Sequence, residues 1–464
     1  MYIYIMSRKI LIYITATLRD EYNELFENIQ EDNIIIPLFI YNQEYISNMS
    51  EMRKEFLYQA VQNFKQSLHK KYNLTLYEEL SGDISNILQK YITKFSIDEV
   101  RVEYQFSYNE LKINKKLQSY CKEHSIIYHE FETLQFIELK NLPFKHIQEI
   151  PNQYTKFRKI VESHNCYSSF TLPNRLLLNF KYKHNFNDSS ASITREELQI
   201  TSSNIILRYI PSRKVALEHL ENYTFKKKYI LTYKETRNQM LGENFSTKLS
   251  PYLALGILSP KEILTTINIF EEEVQSNSST YWVKFELLWR EYCKWVSLKF
   301  ENKVFLKTGI MQTPIYEQYN EEYYNTFVGG NTGYPLVDAG VRELIQTGYM
   351  SNRARQNVAS FFVKNLHLPW LLGAEFFEKY LLDYDPCSNY LNWQYIAGCG
   401  TDTREFRYFN IYKQTKDYDP EKKYISRWIK ELGSSNYPKE IIDFYKSVDR
   451  AKQEQQILNN SKQK

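Results

Sequence analysis

The hydrophobic pattern changes character along the chain. In the first part, short β-branched and aromatic runs alternate with polar stretches of helical character: "KILIYI" (Lys9 to Ile14), "IIIPLFIY" (Ile34 to Tyr41), "VRVEYQF" (Val100 to Phe106) and "SIIYHEF" (Ser125 to Phe131). Such alternation predicts a parallel, doubly wound α/β domain over residues 1–140, because each crossover helix covers a face of the sheet. No GxGxxG follows the first strand, so a Rossmann dinucleotide site has no support. Over residues 141–228 the pattern loosens, with "NLPF" and "EIPNQY" as turns and "NFNDSSASITREE" as a polar stretch, which predicts a long connector. From 229 to 440 helical periodicity takes over and predicts an all-α domain, followed by a polar tail over 441–464.

Two of its helices can be read in detail. Ser351 is placed as the N-cap of "NRARQNVASFFVKNL", whose apolar set Ala354, Val358, Phe361, Phe362 and Leu366 follows one helical face. Asn352, Arg355, Gln356 and Ala359 form an adjoining stripe. In "YWVKFELLWREYCKWVSLKF", Trp282, Phe285, Trp289, Cys293 and Val296 share a face with Glu286 among them, and Arg290 is its i+4 partner. That pair is either an ordinary surface ion pair or the wall of a cleft, since a carboxylate among three rings needs a polar ligand.

Composition narrows the function classes. A formal charge of +4 over 464 residues is too small to signal nucleic acid or membrane by itself. Five cysteines without a CxxC pair fit a reduced compartment. The apolar start carries Arg8 and Lys9 and reads as a strand rather than a signal, and no run is long enough for a membrane span. A soluble intracellular protein of the cytoplasm or nucleus is therefore expected. All six tryptophans lie between Trp282 and Trp428, which concentrates the large rings in the helical half.

Candidate chemistry lies in that half too. Ser246, Thr247, Lys248 and Ser250 precede Pro251 and an apolar helix, an arrangement suited to an anion such as a pyrophosphate. "GGNTGYPLVDAG" lacks the GK[ST] ending of a phosphate loop and reads as a tight turn into a helix. "DYDPCSNYLNWQYIAGCG" packs Asp383, Asp385, Asn389 and Trp393 together. Paired acids there could serve a metal, but no His or further carboxylate has useful spacing. Arg342, Arg353, Arg355, Arg404, Arg407 and Lys413 make this region locally basic, as a phosphate-backbone footprint requires.

Taken together, "TRNQMLGENFSTKLSPYLALG", "FELLWREY", "GGNTGYPLVDAGVRELIQTGYMSNRARQNVASFFVKNL", "LPW" and "DYDPCSNYLNWQYIAG" resemble the photolyase and cryptochrome flavoproteins. "STK", "DYDPCSNY", "NWQY" and "YDPEKKYISRW" are most similar to the DASH cryptochromes. The resemblance is dense over residues 223–432 and thin over the N-terminal domain. It implies FAD, folded into a U shape within the helical domain. Tyr233, Ser246, Thr247, Lys248, Leu249 and Ser250 would hold the diphosphate. Asn352, Arg355, Asp383, Asp385 and Asn389 would surround the flavin and adenine, with Asn389 facing N5.

The resemblance also implies roles around the ring. Trp393 and Trp370 match the inner members of the family's electron-transfer chain, while the segment from Thr313 to Phe327 holds tyrosines and no tryptophan, so the outer donor is a tyrosine or is missing. Glu286 and Trp289 match contacts to a pyrimidine dimer. Gln356 and Tyr395 stand where dimer photolyases more often carry Met and Trp. Arg290, Arg353 and Arg407 are the expected DNA contacts. The implied activity is blue-light repair of cyclobutane pyrimidine dimers, preferentially in single-stranded DNA, by a monomer. The alternative is a blue-light photoreceptor without repair. Near the N-terminus only Leu18, Arg19 and Asp20 clearly match the family pattern; the resemblance leaves room for a 5,10-methenyltetrahydrofolate antenna, with Glu110 either its contact or, more simply, an exposed helix carboxylate.

Overall fold

The structure, a computed structural model, describes residues 7–167, 192–401 and 406–461. The apolar start before Ser7, most of the polar connector stretch and Arg404 lie outside these residues. Two compact units interleave along the chain. The first comprises Met1–Pro143, Glu162–Lys226 and Leu249–Val274, and the second comprises Phe144–Val161, Lys227–Lys248 and Gln275–Lys464. The stretch read as a connector is thus divided between them, as is the helical region after residue 228.

The first unit is built on a parallel sheet of strands β1 (Lys9–Ile14), β2 (Ile34–Asn42), β3 (Tyr77–Ser81), β4 (Glu99–Glu103) and β5 (Ile127–Phe131), in the order β3-β2-β1-β4-β5. Lys9 pairs with Ile34, and Ile10 with Glu99, placing β1 at the centre. β1 and β2 read as unbroken apolar runs because both faces are covered. Leu11, Ile36, Leu38 and Val100 pack with Leu88 and Ile92 of helix α1 (Ile84–Phe95) and Leu117 of helix α2 (Tyr108–Glu123).

Strand β3, "YEELS", escapes the hydrophobic pattern because Glu78 is buried while paired to Lys65, at 2.5 Å, and bonded by Gln62, at 2.9 Å. A buried, satisfied carboxylate looks in sequence like a solvent-facing one.

The Leu18-Arg19-Asp20 remnant ties the first strand's exit loop to a later segment of the same unit. The Arg19 side chain is fully buried; it donates to Gly256 O at 3.1 Å, Tyr22 O at 2.9 Å and Glu24 at 3.1 Å. The Leu18 amide donates to Leu255 O at 3.0 Å. Gly256 adopts φ +59, and a Cβ there would lie 2.0 Å from the Ala16 carbonyl oxygen.

The second unit is helical. The helices that matter for function are α3 (Tyr154–Ser163), which begins in this unit, α4 (Ser278–Phe300), α5 (Pro335–Thr347), α6 (Asn352–Ser360), α7 (Trp370–Tyr380), α8 (Pro386–Ala397) and α9 (Phe444–Ser461). The turn before α5 is held by Asp338, which accepts from the Thr332 amide at 2.8 Å, the Gly333 amide at 3.0 Å and Tyr437 Oη at 2.6 Å. "GGNTGYP" is therefore closed on its own aspartate. No helix among the described residues is long and apolar enough to cross a membrane.

Gly256→Ala combines a left-handed backbone with a clash against backbone, so it should lower the stability of the first unit by more than about 2 kcal/mol. Gly82→Ala, whose Cβ meets nothing within 4 Å, should shift it by less than about 0.5 kcal/mol. Denaturant titrations of the two variants check this.

Candidate flavin and lesion site

Helix α6 starts where its cap predicts. Ser351 Oγ accepts from the Ala354 amide at 3.2 Å, which fixes the register of the first turn. Ala354, Val358, Phe361, Phe362 and Leu366 are buried, and a π-helical turn, Phe361–Asn365, continues the apolar face. The stripe Asn352, Arg355, Gln356 and Ala359 faces a cavity of about 320 Å³, within the range of small-molecule sites. Asp383, Asp385, Asn389 and Trp393 line it from the loop before α8 and from α8 itself, and Phe285, Glu286 and Trp289 line it from α4.

Charge pairing holds these walls together. Arg355 Nη2 meets both oxygens of Asp383, at 3.1 and 2.8 Å, and Arg355 Nε donates to Met350 O at 2.8 Å. Asp385 caps α8 by accepting from the Ser388 amide at 2.7 Å, and Lys294 of α4 lies 3.4 Å from its other oxygen. Burial alone would raise the Asp385 carboxyl, but Lys294, Arg290 and the Ser388 amide outweigh it and hold the group at about 2. Asn389 donates through Nδ2 to Ala374 O at 3.0 Å, which leaves its Oδ1 as the polar end for a ligand.

The rings take two places. Trp393 borders the cavity with its six-membered ring over Gly373, where a Cβ would come within 2.3 Å. Trp370 is fully buried and donates from Nε1 to Lys307 O at 2.9 Å. Trp289 stands edge-on to Tyr395, with centroids 6.2 Å apart at 88°. Arg407 bonds the Tyr395 hydroxyl. Gln356 Oε1 is buried without a hydrogen-bond partner, an acceptor that a bound polar group would satisfy.

Several expectations change. Glu286 is paired with Arg237, not with Arg290. Arg290 is largely buried and directed at the acids Glu291, 3.9 Å away, and Asp385, so it serves as counter-charge rather than as an open DNA contact. Trp282, Phe285 and Trp289 do not join Cys293 and Val296 in the core; they are half-exposed, and the buried side of α4 runs through Val283, Leu287 and Leu288. Ser250 is not the N-cap: Leu249 holds that place before the short helix Ser250–Ala254, with Pro251 next along its first turn.

The hydroxyl cluster does not border the cavity, nor does Tyr233. Ser246, Thr247 and Lys248 belong to the helical unit, whereas Leu249 and Ser250 belong to the first. Lys248 is buried with its ammonium 3.6 Å from the Phe245 ring centroid and 4.6 Å from that of Tyr349. Arg353 lies 4.5 Å over Tyr418 and donates to Asn238 at 2.8 Å, with burial lowering its pKa. In the first unit, Glu110 accepts from Tyr45 Oη at 2.9 Å and from Ser107. The described residues contain no cluster of acids, His or Cys fit for a metal.

Among the wall residues that went unread in the sequence, two brace the mouth. Arg237 sits in the quoted "TRN" and Tyr154 sits in the presumed connector, its ring 4.7 Å from Trp289 and its hydroxyl donating to Phe285 O at 2.7 Å. Asp385→Asn leaves Lys294 buried beside a neutral amide and should lower stability by about 3 kcal/mol at neutral pH. Since the folded carboxyl lies below its ordinary 3.8, its contribution is present above about pH 4 and is lost as pH falls toward 2. Urea titrations across this range should show wild type and variant converging at the acid end.

Comparisons with known proteins agree with this layout. A family model described as DNA photolyase matches residues 15–174, and one described as the FAD binding domain of DNA photolyase matches residues 282–463. The cryptochrome DASH of Xenopus laevis is 35% identical over 438 residues, covering 92% of this chain and 83% of the relative. That of Danio rerio is 36% identical over 441 residues, covering 92% and 84%. The crystal structure of a Synechocystis cryptochrome superposes with a TM-score of 0.88 at 32% identity, covering 97% of this chain and 99% of that one. A class III photolyase from Agrobacterium tumefaciens shares the fold, with a TM-score of 0.84 at 22% identity over 98% of each chain. An α/β domain followed by a helical FAD-binding domain, with this degree of identity over most of the chain, makes the protein a member of the photolyase and cryptochrome family, similar to the DASH cryptochromes.

Proposed function

We propose that the protein is a light-dependent DNA lyase that splits cyclobutane pyrimidine dimers, preferentially in single-stranded DNA. The observation that carries the reading is one cavity that joins a flavin-type floor to a mouth suited to two adjacent bases flipped out together as a dimer. The floor is Arg355, Asp383, Asp385 and Asn389, and the mouth is Glu286, Trp289, Gln356 and Tyr395. The residues fit FAD: Gln356 Oε1, buried without a partner, the Asn389 amide oxygen and the Asp385 carboxylate can accept from ring N–H groups, and the Arg355 guanidinium can donate to ring acceptors. In its reduced state FAD supplies, on absorbing blue light, an electron that opens the cyclobutane ring and is then returned.

The protein's own residues do the rest. Asp385, ionised across the physiological range, would accept a ring N–H beside its helix cap. Asn389 Oδ1 would be the amide acceptor for the flavin, and the Arg355 and Asp383 pair would flank its ring. Asn352 lines the same cavity, and in this reading Tyr233, Ser246, Thr247 and Lys248 of the helical unit would serve the diphosphate. Trp289 and Tyr395 give the extruded dimer two ring faces to pack on, and Glu286 accepts from its bases once Arg237 releases it. Arg407, which bonds the mouth residue Tyr395, and Arg353, which follows the wall residue Asn352, would offer charge to flanking phosphates. Tyr395 provides less area than an indole, so a substrate that needs no unstacking is favoured, which is the basis for the single-strand preference. A methenyltetrahydrofolate antenna near Glu110 rests on the family resemblance alone.

The second reading, a blue-light sensor without repair, is favoured by the Arg237 and Glu286 pair, which occupies the carboxylate a dimer would use. Reduced protein irradiated with dimer-containing single-stranded DNA should lose dimers with time under blue light. An intact flavin spectrum and normal DNA binding with no dimer loss would instead select the sensor. Trp289→Ala should weaken binding of the dimer-containing strand by about 1–3 kcal/mol while leaving undamaged strands little changed. Equilibrium binding of both strands by fluorescence anisotropy checks it.

A further inference from the structure

The segment from Thr313 to Phe327 carries tyrosines in place of the outer tryptophan, and their rings make other contacts. Tyr316 lies 5.9 Å from His367, Tyr319 lies 6.3 Å from Tyr324, and Tyr324 lies 6.4 Å from Phe362. Trp370 instead meets Tyr390, edge to face, with centroids 6.2 Å apart at 79°. Tyr390 is one residue beyond Asn389 on α8, and its hydroxyl donates to Glu378 Oε2 of α7 at 3.0 Å. The Tyr390 ring is buried, while Glu378 is half-exposed.

We propose that Tyr390, with Glu378 as its proton acceptor, is the terminal electron donor of the photoreduction chain in this protein. The inference rests on the reading of Trp393 and Trp370 as that chain. It turns on which ring can lose a proton with its electron. Trp393 Nε1 is buried with no hydrogen-bond partner, and Trp370 Nε1 donates to a backbone carbonyl, which does not take up a proton. Both indoles, once oxidised, stay as radical cations and remain strong oxidants. A phenol hydrogen-bonded to a carboxylate can give up electron and proton together and end as a neutral radical.

The sequence balances as follows. Trp393 gives one electron to the light-excited oxidised flavin, and Trp370, reached through the Gly373 turn of α7, refills Trp393. Tyr390 then gives one electron to the Trp370 radical cation, and its phenolic proton passes to Glu378, which becomes a carboxylic acid. An external thiol reductant later returns one hydrogen equivalent to Tyr390, and Glu378 releases its proton to solvent.

The test is flash spectroscopy and EPR on the purified FAD-containing protein, with flavin content checked by absorbance for each variant. A tyrosyl radical should follow the tryptophanyl signal, and its formation should slow in deuterated water. Tyr390→Phe should remove the tyrosyl signal and leave a tryptophanyl radical cation that recombines faster. Glu378→Gln should suppress the tyrosyl signal while keeping the tryptophanyl one. Tyr390→Trp should restore a long-lived oxidised ring without a deuterium effect. A tyrosyl signal that survives in Tyr390→Phe, or is lost instead in Tyr316→Phe, Tyr319→Phe or Tyr324→Phe, would overturn the proposal. Photoreduction undiminished in Trp370→Phe would overturn the underlying chain instead, a result readable separately from the Tyr390 variants.

Discussion

The short loop from Asp383 to Asp385 holds two carboxylates, and each grips a cation on a different helix. Asp383 binds Arg355 of α6, and Asp385 binds Lys294 of α4 while capping α8. Three helices are thus fixed around one cavity by charge rather than by apolar contact alone. Apolar packing tolerates sliding, whereas a buried ion pair strongly penalises loss of either partner. Both acids also line the cavity, and Asp385 is held ionised there, so structural hold and cofactor recognition are one arrangement.

Around that floor, aromatic placement divides by task. Rings that are fully enclosed, such as Trp370 at the start of α7, lie in the core. Rings with one open face, such as Trp289 and Tyr395, stand at the mouth. Tyr154 and Arg237 come from separate segments of the chain to brace that mouth, which couples the geometry of Trp289 and Glu286 to residues far away in sequence.

Much of this was legible beforehand, and the gaps have physical causes. Strands β1, β2, β4 and β5 followed from apolar runs, but β3 did not, because the buried Glu78 is neutralised by Lys65 from a helix. The polar stripe Asn352, Arg355, Gln356 and Ala359 was visible as a helical face, though spacing could not say whether it met solvent or a ligand. The choice of Arg290 for Glu286 followed i, i+4 geometry along one helix. The actual partner, Arg237, is brought in by tertiary folding, which local spacing cannot encode. Ser250 looked like a cap by residue type, but Pro251 fits within the first turn and moves the boundary to Leu249.

The most direct test of the central claim is a crystal structure of the protein purified with its chromophore, together with flavin quantified per chain. One FAD per chain should appear, its ring between Arg355 and Asn389 and one ring edge within hydrogen-bond distance of Asp385. A colourless protein, or a flavin bound elsewhere with those side chains facing open water, would contradict the account.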